Sequence, residues 1–458
     1  MAIIPKPVKL QSGSVDILNA IRAKASDNYK SIVPKITKSK SRANVETQIR
    51  EIGRIMFDFE AVRNEFLNAL YNRIGRVLIT SRSYQNPLKM LKKGMLEYGE
   101  TTEEIFIDLV NVQDFDIDKA ETELFKRELP DVKAAFHSLN FTKLYKVTIE
   151  RARLKQAFLS EDGVEELVLY IVDKMTTSME YDEFLTTMYM IGKMALDGMI
   201  HVTSYQANLP MDDLAGVVKE VSNNWTFLKN KYTYAHNRTH VPKDQQVILV
   251  SSKFDALFST KVLAWVFDKT EAEIGYNRVL FDNFRDLDLD RLDMLFGKDP
   301  TYHRFTEDEL TALDQIPLMM MDSDWFMIYD NDLEFSDIDN PQGRYYNHFL
   351  HVWRTFSVSP FANATIFLPE VQTVNEVKVT PSTASVHRGQ AIQLAVNVEG
   401  SDFVDSRVVW SSSQDDIMVT QDGYVAIPDG STSTTVVITA TSMFDSTKSG
   451  NATITVED

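Results

Sequence analysis

VEELVLYIVDKMTTSMEYDEFLTTMYMIGKMALDGM, residues 164–199, is the longest helical pattern in the chain, about 54 Å if unbroken at 1.5 Å per residue. Its apolar stripe moves. Val164, Val168, Ile171 and Met175 share a face, whereas Phe184, Met188, Ile191 and Ala195 lie well round the axis from it. The two halves therefore meet different neighbours, or the helix bends. The methionines at 175, 179, 188, 190, 194 and 199 read as ordinary core rather than as a plastic binding surface. A chain of 458 residues is too long for one core, and about 150 residues per domain gives roughly three.

N-terminal to this helix, residues 46–73 carry a second one, with Ile49, Ile52, Ile55, Met56 and Phe59 at steps of three and four, then Phe66, Leu67 and Leu70, and a stop at Gly75. An arm precedes it. VDILNAIRAKA places Val15, Ile17, Leu18 and Ile21 on roughly one side, while KITKSKSRAN lacks the apolar content to fold alone and is expected to be extended until something holds it. Between the helices the pattern changes to a long ribbon. It runs from a strand RVLITSRSY through Pro87, a lysine cluster of Lys89, Lys92 and Lys93, a turn at Gly94 and a strand EEIFIDLV over 103–110. ELPDVKAAFHSL reads as a short helix and LYKVTIERARLKQAF, 144–158, as a returning strand.

C-terminal to the long helix, strands QVILVSS, RVLFDNF, IPLMMM and DWFMIYD alternate with a helix DALFSTKVLAWVF, which suggests an α/β lobe around a sheet. YYNHFLHVWRTFSVSPFANATIFL, 345–368, reads as paired, buried strands. After it the texture changes to short Val-, Thr- and Ser-rich strands: NEVKVT, AIQLAVNV, VVWSS, IMVT, YVAI, TTVVITAT and ATITV, separated by HRGQ, QDGY and PDGS. That spacing is a separate all-β sandwich over 374–458, with Trp410 as its core plug.

Hydrophobic residues at 44% and charged ones at 25% are ordinary for a globular protein. The absence of cysteine excludes disulfides, cysteine-ligated metals and thiol catalysis. MAIIPKPVKL sets prolines where a signal peptide needs an apolar helix, and no run approaches the roughly 20 apolar residues that cross a bilayer, so neither export nor a membrane partner is expected. The formal net charge is −18, unevenly spread: residues 1–50 carry ten Lys and Arg against three Asp and Glu, and residues 374–458 carry four against eleven. A basic arm precedes an acidic body.

Catalytic fingerprints are missing: there is no phosphate loop, no G-x-G-x-x-G after a strand, and no G-x-S-x-G elbow. His236 and His240 in HNRTH have the spacing of a helical zinc pair but lack the glutamate of H-E-x-x-H and a third ligand. DNDLEFSDIDNP, 330–341, begins like a calcium loop, yet Phe335 stands where the turn glycine belongs and Pro341 where the bidentate glutamate belongs, so it reads as a solvated acidic loop. DLDLDRLD, 286–293, reads as an exposed amphipathic face, with a weak cation site as the alternative. No metal, no cofactor and no enzyme activity are expected.

Taken in order, DILNAIRAKASDNYKSIVPKIT, NEFLNALYNRIGRVLI, NPLKMLKKGMLEYGETTEEIFIDL, DWFMIYDND and RYYNHFLHVWRTFSVSPFANATIF resemble the major capsid proteins of small short-tailed phages related to the Bacillus phage phi-twenty-nine. The resemblance covers roughly residues 15–368. The tail, with VKVTPSTASVHRGQAIQL, VVWSSSQDD and ITATS, is similar to bacterial immunoglobulin-like group two domains. The resemblance implies an α+β fold, that of tailed-phage and herpesvirus shells: an N-terminal arm and helix over 1–75, an E-loop with flanking strands over 76–160, a P-domain with a spine helix and an A-domain over 161–370, and the Ig-like sandwich over 374–458. It also implies a self-assembling head shell in the virion, assembled in the host cytoplasm, with a scaffolding protein, a portal at one vertex and packaged double-stranded DNA, contacted non-specifically, as partners. A hairpin that cannot bury its faces against itself is stable only across a neighbouring subunit, so Lys89, Lys92, Lys93 and Gly94 are expected at an inter-subunit contact. An encapsulin-like compartment shell of the same fold and an Ig-like surface adhesin are the alternatives.

Overall fold

A computed structural model describes residues 14–37, 42–59, 61–63, 65, 66, 69, 84–96, 101–110, 112, 132–159, 163–206, 211–255, 278–369, 373–401 and 403–457. The strand expected over 76–84 and the helix expected over 255–267 lie outside these residues except for Tyr84 and Asp255, and Gly75 lies outside them too. Helices α1 (Ser14–Lys24), α2 (Asp27–Ile32) and α3 (Arg42–Asp58) come first, then strands β1 (Gly94–Met95), β2 (Thr101–Ile107), β3 (Val132–Ser138) and β4 (Phe141–Glu150). Next are α4 (Arg151–Ala157), α5 (Gly163–Leu196), β5 (His201–Ser204), α6 (Met211–Trp225), β6 (Gln246–Ser251) and β7 (Arg278–Phe281). They are followed by α7 (Leu289–Phe296), α8 (Glu307–Leu313), β8 (Leu318–Asp322), β9 (Phe326–Asn340), β10 (Tyr345–Val358) and β11 (Ala364–Leu368).

The chain divides into two units, Met1–Asn86 with Asn140–Glu183 and Asp330–Arg354, and Pro87–Leu139 with Phe184–Tyr329 and Thr355–Asp458. The helix α5 changes unit at Glu183, in the interval where its stripe crosses the axis. Ile171 and Met175 are buried in the first half, and Phe184, Met188, Ile191 and Ala195 in the second. Just before that change even Glu180, Asp182 and Glu183 are buried, each against a polar partner of the first unit: Asn86, Tyr145 or Arg354.

In the first unit, α1 buries Val15, Ile17, Leu18 and Ile21, and α3 buries Ile49, Ile52 and Met56. Phe158, just after α4, meets Phe66 at 5.5 Å and Phe57 at 6.3 Å. The arm is held further than its composition suggests: Arg22 Nε donates to the Val33 carbonyl at 2.7 Å, and Asn19 exchanges two hydrogen bonds of 3.0 Å with the backbone of Ile36. The strands β9, β10 and β4 lie side by side, with β10 antiparallel to β4 from Tyr345 opposite Glu150 to Arg354 opposite Phe141. On β10, His348 is buried against Phe335 at 6.1 Å with no hydrogen-bond partner for Nδ1, and burial pushes its pKa down to about 4.

Because that value is depressed, the contribution of His348 is complete above the unfolded value of about 6.5 and is lost as pH falls toward about 4. The shift corresponds to about 3 kcal/mol. Chemical denaturation across this window should show that loss in the wild type, and a shallower acid slope in His348→Phe. An identical slope in both would remove the histidine as the cause.

The second unit is built on a mixed sheet in the order β5-β11-β8-β6-β7, with β5 parallel to β11, β6 parallel to β7, and β8 antiparallel to both its neighbours. QVILVS, LMMMD and ATIFL are almost unbroken apolar runs, as strands covered on both faces must be. On one face α6 packs Leu214, Val218, Val221 and Trp225 against Ile248, Val250, Leu318, Met320 and Phe367. Those four residues recur at steps of four, three and four, the period of a helix that was not among those expected from the sequence. Elsewhere in this unit Tyr189 of α5 lies 4.9 Å from Phe305 and donates its hydroxyl to the His303 carbonyl at 3.0 Å.

The C-terminal strands are β12 (Val374–Thr380), β13 (Thr383–His387), β14 (Ala391–Gln393), β15 (Ala395–Gly400), β16 (Val408–Ser412), β17 (Met418–Val419), β18 (Tyr424–Ala426), β19 (Thr435–Ser442) and β20 (Ser449–Glu457). They form sheets β12-β15, β13-β20-β19-β16 and β14-β18-β17 around their own apolar core, which includes Trp410 opposite Ala440. The expected strand AIQLAVNV is divided between β14 and β15, which belong to different sheets. TASVH, not expected as a strand, pairs parallel with β20, burying Val386 while its polar neighbours face outward.

Candidate functional site

Residues 87–96 belong to the second unit and form a short tongue. Leu88 and Leu91 are buried and anchor a 3-10 turn, Lys89–Leu91, closed by the Lys92 N–H on the Lys89 carbonyl at 3.2 Å. The Lys93 N–H reaches the Ile328 carbonyl at 2.9 Å, and its ammonium donates to the Ser323 carbonyl at 3.0 Å and pairs with the Asp324 carboxylate. Gly94 sits at φ +120°, a conformation L side chains rarely adopt, and turns the chain into β1 beside β9. Lys93 thus engages its own chain; Lys92 and Lys93 are half-buried and Lys89 is exposed. Met90 and Met95 beside them are exposed.

The ribbon beyond is β2 antiparallel to β3, from Thr101 opposite Ser138 to Ile107 opposite Val132. The helix expected over 128–139 is therefore a strand from Val132 to Ser138, and the strand expected over 144–158 ends at Glu150 and continues as α4. In VKAAFHS, pairing with β2 overrides the helix preference of its alanines. In LYKVTIERARLKQAF the alternation stops at Ile149, and RARLKQA buries Leu154 and Ala157 at a helical step of three.

One face of this ribbon is fastened to its own unit. Phe106 stacks on Phe361 at 5.7 Å, and the Lys133 ammonium donates to the Ala235 carbonyl at 2.9 Å. His137, 2% exposed, hydrogen-bonds Ser357 Oγ through Nδ1 at 2.7 Å and Glu104 through Nε2 at 3.2 Å, and Ser359 Oγ donates to the other oxygen of Glu104 at 2.7 Å. Both imidazole nitrogens are spent on joining strands. The expectation of a hairpin unable to bury either face is thus corrected: the inner face rests on its own chain. The outer face carries Ile105, Ile107, Val132 and Phe136, each more than half exposed, and Leu109, Val110 and Val112 follow on the same segment.

The acidic stretches hold protein cations. DNDLEFSDIDN is not a loop but the second part of β9, where Asp339 accepts from Arg151 at 2.6 Å and Asp330 from Arg354 at 2.7 Å. Its alternating Leu333 and Phe335 fit a strand beside β10. In DLDLDRLD, Asp288 caps α7 by accepting from the Arg291 N–H at 3.0 Å, Leu292 is buried, and Asp290 and Asp293 engage Arg304. His236 and His240 lie on a loop, and His236 Nε2 is occupied by Asn230 at 2.9 Å. Among the described residues no three His, Asp or Glu side chains could hold a metal ion, and no helix is long and apolar enough to cross a membrane.

A family model described as the Phi29-like phage major capsid protein matches residues 18–368. The major capsid protein of Bacillus phage B103 is 32% identical over 408 residues, spanning 87% of this chain and 83% of that one. That of Bacillus phage PZA is 30% identical over 426 residues, 90% and 87% of the two chains. Among solved structures, the capsid structure of Staphylococcus phage Andhra aligns with 64% of this chain and 86% of that one, at 15% identity and a TM-score of 0.49.

Proposed function

From a chain that belongs to the Phi29-like phage major capsid protein family, a family of structural shell proteins rather than enzymes, we infer a subunit whose neighbours are gripped by its tongue and ribbon. Copies of it associate into a multimeric shell, and the protein is a component of the virion. The match over residues 18–368 carries this reading. It favours neither the compartment shell nor the adhesin.

In this reading residues 76–160 are the E-loop and its flanks, α5 is the spine helix, about 200–325 is mostly A-domain, 340–368 supplies P-domain strands, and 374–458 is an immunoglobulin-like domain. Head-to-tail contacts close into a shell, and each is weak alone because one subunit meets several others at once. Assembly takes place in the host cytoplasm with a scaffolding protein, and a portal occupies one vertex. The basic arm meets packaged DNA through salt-sensitive phosphate contacts. Electron microscopy of the purified protein, alone and with its scaffolding partner, should show closed shells. A chain that stays monomeric in both would overturn the assignment.

Lys89, Lys92 and Lys93 are assigned to a neighbour's carboxylates, a pairing that suits a subunit of net charge −18 and sets register and encounter rate more than affinity. Lys93 also holds Asp324 of its own chain, a partly exposed pair whose loss costs the subunit about 1 kcal/mol or less. The triple Lys→Glu variant is expected to fold and yet yield no regular shells, or misdirected ones. Normal particles from it would remove these lysines from the contact.

A further inference from the structure

Three consecutive residues join the C-terminal sandwich to the rest of the second unit. The Arg407 guanidinium forks onto Asp405, Nε to Oδ1 at 2.8 Å and Nη2 to Oδ2 at 2.6 Å, and both side chains are 1% exposed. Its remaining nitrogen, Nη1, donates away from the sandwich, to the carbonyls of Lys231 at 2.9 Å and Thr233 at 3.2 Å. Ser406, between them, donates its N–H to the Gly198 carbonyl at 3.0 Å and its hydroxyl to the Asp197 carbonyl. Gly198 is at φ +64°, and a Cβ there would stand 2.2 Å from the Val404 carbonyl oxygen and 2.7 Å from the Ser406 nitrogen. The approach needs a residue without a side chain.

We propose that Asp405-Ser406-Arg407 is a key that holds the C-terminal sandwich in one fixed orientation on the loops at 197–198 and 231–233, so that it is part of the subunit's rigid body and not a tethered appendage. The chemistry is directional. A carboxylate bound by both oxygens fixes the plane of the guanidinium, and a fixed plane aims Nη1 at only one pair of carbonyls. Swinging the sandwich away would return four backbone carbonyls to water and separate a buried cation from two of its acceptors. Beside the key the seam is open, a cleft of about 610 Å³ lined by Leu196, Met199, Tyr234, Val398 and Trp410 among others. Close apolar packing does not fill that part of the junction, which leaves the polar key to set the angle. In a shell, every copy would then show the same face of its sandwich outward.

The chain has no cysteine, so two introduced thiols can be spin-labelled without background. Asn223→Cys on α6 and Asn451→Cys on β20 are both at exposed positions, one on each side of the key. Dipolar electron resonance on the full chain should give one narrow distance distribution. Adding Arg407→Met should broaden it at least twofold while both cores remain folded by circular dichroism. Gly198→Val, which blocks the approach without touching a charge, should broaden it likewise. If Arg407→Met reduces the yield of folded chain, the double variant Asp405→Leu/Arg407→Leu, which removes both charges together, is read by the same criterion. A broad distribution in the otherwise unchanged chain, or a narrow one that survives these variants, would overturn the proposal.

Discussion

Replacing Arg354 with leucine should remove about 3–5 kcal/mol from the first unit, the cost of breaking a buried ion pair by deleting one partner. Arg354 is 2% exposed, with Nη1 2.8 Å from Glu183 Oε2 and Nε donating to Asp330 Oδ1 at 2.7 Å. The surrounding bonds extend the network: Asn86 Nδ2 donates to Glu183 at 3.0 Å, its N–H donates to Glu180 at 3.2 Å, and the Tyr145 hydroxyl donates to Asp182 at 2.7 Å. Four segments distant in sequence meet there. A small domain has about 5–15 kcal/mol in all, so a loss of this size takes a large share of what holds the unit together. Thermal unfolding and the yield of soluble chain both read it. The double variant Arg354→Leu/Glu183→Leu should recover part of the loss, because removing both members of a buried pair leaves less charge uncompensated. A single variant with wild-type stability would show that the charges are idle.

This network was not legible in the sequence. The migrating stripe of residues 164–199 requires only that its two halves meet different neighbours or that the helix bend; that Glu180, Asp182 and Glu183 are buried, and which cation meets them, depends on chain segments far away. The runs 246–251, 318–322 and 364–368 were readable as strands because burial on both faces needs no alternation. VKAAFHS was not, since its alanines favour a helix and only the partner strand decides otherwise. DNDLEFSDIDN read as solvated because its charges outnumber its apolar residues, whereas Arg151 and Arg354 accommodate them within a strand. At the candidate site the lysine cluster and the turn at Gly94 were visible. The bond from Lys93 to its own chain was not, because Asp324 is brought to it only by the pairing of β1 with β9.

Ile105→Asp combined with Phe136→Asp is expected to leave a folded subunit that cannot build a shell. Both side chains are on the outer face of the ribbon, 58% and 67% exposed, so the isolated chain should keep its thermal midpoint, as surface changes away from special features usually cost under about 0.5 kcal/mol. In a contact the balance reverses. Burying what remains exposed of these two side chains is worth about 1–2 kcal/mol each, and an aspartate in their place also has to be desolvated. A loss of about 4 kcal/mol at one contact raises the concentration needed for association roughly a thousandfold. The readout is the yield of closed particles by electron microscopy and sedimentation, beside Ile105→Val/Phe136→Leu, which keeps the face apolar and should still assemble. Salt separates this contact from the lysine one: ionic strength screens a charged pairing within about a Debye length, but it does not restore an apolar face that has been removed. If the double aspartate variant forms normal shells at wild-type concentration, the ribbon's outer face is not where subunits meet, and the grip on neighbours would have to come from elsewhere on the chain.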